Sequence, residues 1–296
     1  MTNTVDRVAG GSTPNCAFLP EQWSTKLNYY YMKQTFLNDI ANNDWGSGLL
    51  HQGGVINIRQ VPEVQVFNYT IGEPMPTQNV DDEKIQLLIN KAVGFKIFRD
   101  DIDRVQMDID LLNAVTTNGA YQTKIKIETD VLGSIYGSAS TSFSTTALDS
   151  TNAMRWVLTA GAQMDKLNVP DDGKRFIVIP PYVALQLQMS DLKAANMMGD
   201  SESVARKSLG NGHLGMIGGI NVYVSNCLTK TADGVYHCIA GHRSATVYAS
   251  QFTTVERGKD PDYFGDYLRG LSVYGFKVNK PEGLIHMPAT VTEGVI

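Results

Sequence analysis

The chain has 296 residues, of which 43% are hydrophobic and 19% charged. That is enough for one large domain or two at about 100–200 residues each, and the balance excludes a disordered or fibrous chain. The formal net charge is −5, and Lys and Arg are scattered along the sequence instead of gathered in a stripe, which argues against site-specific reading of nucleic acid.

The first stretch, MTNTVDRVAGGSTPNCAF, is polar and turn-rich and lacks the apolar core of a secretory signal. Residues 1 to 20 are therefore expected to form a flexible arm. A helix is expected from Glu21 to Ile40, with Leu27, Tyr30, Tyr31, Leu37 and Ile40 close to one stripe. From Val55 to Phe98 the pattern turns extended. Ile56, Ile58, Val64 and Val66 alternate with Asn57, Arg59, Glu63 and Gln65, the period-two signature of half-buried strands. IGEPMPTQ, residues 71–78, supplies the turn, and a return strand is expected from Ile85 to Phe98. Arms of roughly 13–15 residues would reach on the order of 45 Å. A two-stranded ribbon is marginal alone in water, so this one needs cover, and a second subunit is one source of it.

Residues 100–137 read as one long helix, with Ile102, Val105, Ile109 and Leu112 in helical spacing and Gly119 as a candidate kink. The Ser/Thr-rich connector GSASTSFSTTALDSTN, 137–152, is the clearest boundary candidate. A helix follows from Asn152 to Leu167 on Met154, Val157, Leu158, Met164 and Leu167. PDDGK is a turn and RFIVI a buried strand; Pro180 and Pro181 then open a helix carrying Tyr182, Leu185, Met189 and Leu192. INVYV, YHCIA and ATVYAS read as strands, and LRGLSVYGFKVNKPEGLIHM as extended segments broken at Gly275 and Pro281. The longest apolar run, FIVIPPYVAL, is about half of what a bilayer span needs, so a soluble chain is expected.

Three groups of residues invite a chemical reading. Gly210, Gly212 and Gly215 have the spacing of a dinucleotide-binding loop. Such a loop needs a buried strand before it and a helix after it, so that the helix amino terminus meets the pyrophosphate. Here the polar SESVARKS precedes and the strand-like MIGGINVYVS follows, so tight bends are the better reading. Cys227, His237, Cys238 and His242 offer zinc-ligating atoms, but His237 and Cys238 are adjacent on a strand and point to opposite faces. A core thiol with surface histidines is preferred. Asp100, Asp101, Asp103, Asp108 and Asp110 suggest paired carboxylates, yet a helix start already favours three of them, and residues two apart diverge on a helix. With Cys16, the cysteines number three, which leaves at least one unpaired and suits a reducing compartment. No catalytic, cofactor-binding or metal residue is expected.

The segment FKIFRDDIDRVQMDIDLLNAVTTNGAYQTKIKIETDVL, then DDGKRFIVIPPYVALQL, GHLGMIGGINVYVSN and FGDYLRGLSVYGFKVNKPEGLI, by their order and spacing, resemble the major capsid proteins of tailed double-stranded DNA bacteriophages, whose subunit has the HK97-type fold. The resemblance implies an α+β fold with an amino-terminal arm at 1–50, an extended loop (E-loop) at 51–100, a peripheral domain with a spine helix from 101–145 and 253–296, and an axial domain at 146–252. It implies a structural shell subunit without enzymatic activity, forming pentamers and hexamers of an icosahedral virion assembled in the host cytoplasm. Expected partners are further copies, a portal protein, a separate scaffolding protein, a decoration protein and, without sequence preference, the packaged DNA. Some relatives crosslink lysine to asparagine; Lys84, Lys91 and Lys96 lie in or near the loop, but no motif marks a reactive pair and plain surface lysines are preferred. An encapsulin-like nanocompartment shell and a nucleotide-dependent enzyme using Gly210, Gly212 and Gly215 are the alternatives.

Overall fold

Arg175–Ile179 is buried at every position, as a strand with neighbours on both edges and layers on both faces must be. In the computed structural model, which describes residues 35–44, 54–60, 64–72, 74, 77–78, 84–100, 111–190 and 213–291, this strand lies at the centre of a mixed sheet. The described elements run α1 (Leu37–Ile40), β1 (Val55–Arg59), β2 (Lys84–Leu88), β3 (Lys91–Asp100), α2 (Leu111–Ile135), β4 (Thr141–Ser142), β5 (Thr146–Leu148), α3 (Ala153–Lys166), β6 (Arg175–Ile179), α4 (Pro181–Met189), β7 (His213–Ile217), β8 (Ile220–Val224), β9 (Val235–His242), β10 (Thr246–Lys259), β11 (Gly265–Val278) and β12 (Leu284–Val291). Seven strands form the larger sheet in the order β4-β12-β9-β6-β8-β7, with β5 also on β12; β10-β11-β3 form a second sheet and β1-β2 a third. β6 pairs parallel with β8 and antiparallel with β9.

The helices cover the larger sheet with small and branched side chains. α3 buries Ala153, Trp156, Val157, Ala160, Gly161 and Met164, and α4 buries Val183, Ala184 and Leu187. These join Ile127, Val131, Leu132 and Ile135 of α2 and Leu37 and Ile40 of α1 in one core cluster. α2 also lies against the three-stranded sheet. The Phe95 ring on β3 fits between Gly119 of α2 and Gly270 of β11, where a Cβ would stand within 3.1 Å and 2.7 Å of ring atoms.

Several expectations change in detail. The return strand is two strands: Lys84–Leu88 pairs with Val55–Arg59, whereas Lys91–Asp100 leaves the ribbon and pairs with β11. The paired ribbon is thus five residues per arm, and 91–100, assigned to the loop, belongs to the second sheet. Asp100 ends a strand opposite Gly265; the other four aspartates of that cluster lie outside the described residues, as do Gly210, Gly212, Cys16 and the expected helix before residue 35. α2 runs through Gly119 without interruption, because the glycine serves close packing against Phe95. β11 likewise runs through Gly275. The Ser/Thr-rich connector is no free linker, since β4 and β5 pair parallel with β12. β12, placed with the peripheral segment 253–296, sits in the larger sheet beside β9. The stripe expected for α3 holds at Val157 and Met164, which are buried, and at Met154 and Leu167, which pack against the core, and fails only at Leu158; the stripe of α4 is turned, with Tyr182, Leu185 and Met189 exposed and Val183, Ala184 and Leu187 buried.

Candidate assembly surfaces

The ribbon begins on the body. Ile58 and Leu87 face the same side of β1 and β2 and are buried on Val247 and Ala249 of β10, with Ile56 and Ile89 packed around them. Lys277 donates to the Gln86 carbonyl at 3.2 Å, and the Gln60 amide nitrogen donates to Asn279 Oδ1 at 3.0 Å. The ribbon crosses β11 so closely that a Cβ on Gly275 would lie 2.2 Å from the Leu88 carbonyl oxygen. Glycine here is a demand of backbone approach, and not a strand break.

Further out the cover ends. Val64, Val66, Tyr69 and Ile71 are 69%, 94%, 67% and 92% exposed. The two arms stay side by side, for the Gln65 N–H donates to Gln78 Oε1 at 2.8 Å, six residues beyond the Arg59–Lys84 pair on each arm. An apolar, antiparallel tip projecting past its own support is a surface built to be covered.

At the other edge of the body, a buried carboxylate fixes the segment that precedes the ribbon. Glu128, on α2 and 1% exposed, accepts the Phe36 N–H at 3.0 Å and the Ser225 hydroxyl at 2.7 Å. Asn42 then pairs with β10 through Thr246 and Tyr248 backbone groups, and Arg243 donates to the Ala41 carbonyl. Nothing in the sequence pattern marked Glu128, which reads there as an ordinary helical carboxylate.

Two of the lysines considered for crosslinking, Lys91 and Lys96, have ion-pair partners within the chain. Lys91 bonds Asp130 at 2.6 Å, which also accepts from the Tyr274 hydroxyl at 2.9 Å. Partial burial pushes the Asp130 carboxyl up, but the hydrogen bonds from Lys91 and Tyr274 outweigh it and hold the group below its usual range. Lys96 bonds Asp260 at 2.9 Å, and Lys84 stands opposite Arg59 in the ribbon.

The glycine-rich stretch is a hairpin. Ile217 and Ile220 pair across Gly218 and Gly219, whose φ values of 55° and 80° suit a two-residue turn of the hairpin type. Gly215 lies within β7, a strand follows instead of a helix, and the phosphate-cradle reading has no helix amino terminus to use. The cysteines and histidines do not converge either. Cys238 is fully buried and its thiol is pushed up by burial; no group of three metal-ligating side chains occurs among the described residues. The histidines differ from the surface residues expected: His242 is 5% exposed, bonded to Asp172 and Ser244, and His237 is stacked on Tyr136 with ring centroids 4.3 Å apart.

Residues 83–287 match the family model described as phage capsid protein. No curated protein matches the chain in sequence. A solved structure from Mycobacterium phage Che8 is 30% identical, with a TM-score of 0.77, and the match covers 93% of this chain and 98% of that one. The capsid of cyanophage P-SCSP1u is 14% identical with a TM-score of 0.73, covering 95% and 96%. The mature capsid of bacteriophage PhiM1 is 14% identical with a TM-score of 0.63, covering 94% and 93%. The chain belongs to the phage capsid protein family. Its α+β fold is of the HK97 type, and its role is that of a major capsid protein, a structural subunit of the virion shell.

Proposed function

We propose that this subunit builds its shell through the ribbon, whose base is fixed on its own three-stranded sheet while the tip lies on an adjacent copy in the same ring. The observation that carries the reading is the exposure of Val64, Val66, Tyr69 and Ile71 beyond a base in which Ile58 and Leu87 are buried. Full burial of such a side chain contributes on the order of 1.5–3 kcal/mol. Each subunit engages several neighbours at once, so individually modest contacts add to a stable shell, and head-to-tail contacts close into rings when the rotation permits.

In this reading residues 1–50 are the arm, the loop ends near β2, α2 with the three-stranded sheet is the peripheral body, and the larger sheet forms the axial body, to which β12 returns. The subunit acts by position and carries no catalytic group. Its further partners are a portal protein, a separate scaffolding protein, a decoration protein and the packaged duplex. The net charge of −5 suits a wall that does not hold DNA tightly. Assembly takes place in the host cytoplasm.

The test replaces 61–82 by an Asn-Gly turn, which keeps the β1–β2 register and the buried Leu87. The expected result is a folded subunit, by circular dichroism and thermal unfolding, that builds no normal particles in electron microscopy. Normal particles would overturn the clasp.

A further inference from the structure

His237 on β9 and His286 on β12 form a short proton-linked chain that the shell role does not use. His237 Nδ1 and His286 Nε2 are 2.9 Å apart, Ser142 Oγ is 2.9 Å from His286 Nδ1, and Thr231 Oγ1 is 2.9 Å from His237 Nε2. One direction of donation satisfies every group: Ser142 O–H to His286, His286 Nε2–H to His237, His237 Nε2–H to Thr231, and Thr231 O–H to the Val235 carbonyl at 3.3 Å. Each ring is then neutral, with one donating and one accepting nitrogen.

The chain lies at a joint. Tyr136, in the turn of 3-10 helix that continues α2, stacks on His237 and tilts against His286 with centroids 5.2 Å apart. Ser142 is on β4, the edge strand held by β12. The helix end, the sheet edge and the carboxyl-terminal strand therefore meet at two imidazoles.

We propose that this histidine pair is a proton-operated release between the end of α2 and the seven-stranded sheet. A first proton is tolerated, because one N–H can still bridge the rings. The second leaves two N–H groups and two positive charges facing each other across 2.9 Å, and the rings must part. No carboxylate among the described residues bonds either ring to share that charge. Among the described residues the pair is met by His237 from β9, His286 from β12, Ser142 from β4, Thr231 from the 229–231 loop and Tyr136 from the helix end; the nearby Lys230 lies over Tyr236. Burial holds both histidines below the ordinary 6.5, and for His286 the charge of His237 adds to it. A folded-state pKa below the unfolded one means stability present above about pH 6.5 and lost as pH falls through the pair's own titration. The two steps belong to the pair and not to either ring.

Assembled particles, exchanged in deuterium at pH 7.5 and at pH 5 and corrected for intrinsic rates, test the release. Peptides covering 136–143 and 284–288 should lose protection at pH 5, up to about tenfold per pH unit for each proton taken up, and the double variant His237→Gln, His286→Gln should not. Equal protection of the native joint at both pH values, or the same loss in the variant, overturns the proposal. Because the variant can weaken the joint outright, histidine C2–H exchange by mass spectrometry on the native particle gives a second readout. Both midpoints should lie below 6.5; a midpoint at or above that value for either residue rejects the release.

Discussion

The base and the tip of the ribbon come from one alternating pattern and end in opposite environments. Ile58 and Leu87 are 1% and 0% exposed, Val66 and Ile71 94% and 92%. Alternation tells which side chains share a face; it is silent on whether that face has a cover. At the base the cover is supplied by Val247 and Ala249, which the chain brings back from another sheet. At the tip the described residues supply none, and the apolar side chains stay exposed.

The contrast is broken most forcefully at its buried end. Leu87→Ala should cost the unassembled subunit about 2–5 kcal/mol, as lost transfer energy and a cavity combine. Ile71→Ala should leave subunit stability within about 0.5 kcal/mol and lower particle yield instead. Denaturant unfolding of the subunit and sedimentation of the assembled particles measure the two separately. Equal effects of both variants on subunit stability would mean that the tip packs on its own body.

The segment before the ribbon is an intermediate case, extended and held by polar groups. Glu128→Ala removes the acceptor of the Phe36 N–H and the Ser225 hydroxyl, and bonds to a charged group contribute about 1.5–3 kcal/mol. The loss should be of that size, and the Phe36 amide should exchange faster while the β1–β2 amides keep their protection. If the ribbon loosens as well, base and arm are one cooperative unit and not two separately held strands.

Much of this was legible in the sequence where local signals were strong. The buried strand Arg175–Ile179, the proline-opened α4 and the strand at Ile220–Val224 stand where periodicity and proline placed them. What was not legible depended on partners distant in sequence. Whether 84–100 is one strand or two depends on where β11 passes. Gly119 and Gly275 look like breaks until a ring and a crossing backbone are seen to occupy the missing Cβ positions. Part of the core faces of α3 and α4 is made by Ala153, Ala160, Gly161 and Ala184, which carry little hydrophobic signal, while the larger Leu158, Tyr182, Leu185 and Met189 stay exposed. Of the ribbon, the extended pattern could be read and its anchoring on Val247 and Ala249 could not.

Gly275→Ala sharpens the comparison from beneath, changing no ribbon residue. The added Cβ would meet the Leu88 carbonyl oxygen at 2.2 Å and Ile89 Cα at 2.9 Å, and backbone yields less readily than a side chain. Overpacking of this kind costs about 1–3 kcal/mol. The ribbon base should lift from β11, seen as faster exchange at the Ile89 amide, which donates to Gly54, and particle assembly should fall. Gly173→Ala, where nothing stands within 4 Å but φ is 77°, serves as a control for backbone strain without a crossing strand, and should leave the ribbon amides unchanged.

The smallest effect concerns the larger sheet and should leave both ends of the ribbon alone. His242 donates through Nε2 to Asp172 Oδ1 at 2.8 Å and accepts at Nδ1 from the Ser244 hydroxyl. The bond from His242, helped by the Lys174 N–H and set against some desolvation, holds the Asp172 carboxyl at about 2, below its ordinary 3.8. A folded-state value below the unfolded one gives stability that is complete above about pH 4 and lost as pH falls through about 2. Asp172 is 40% exposed at its side chain, so water screens the pair and the gain is modest. Asp172→Asn should therefore flatten only the acid limb of subunit stability and leave exchange at the ribbon amides unchanged at pH 7. Faster ribbon exchange in that variant at neutral pH would show that the two sheets do not hold their extended segments independently, and the contrast between base and tip would then need a cause outside local packing.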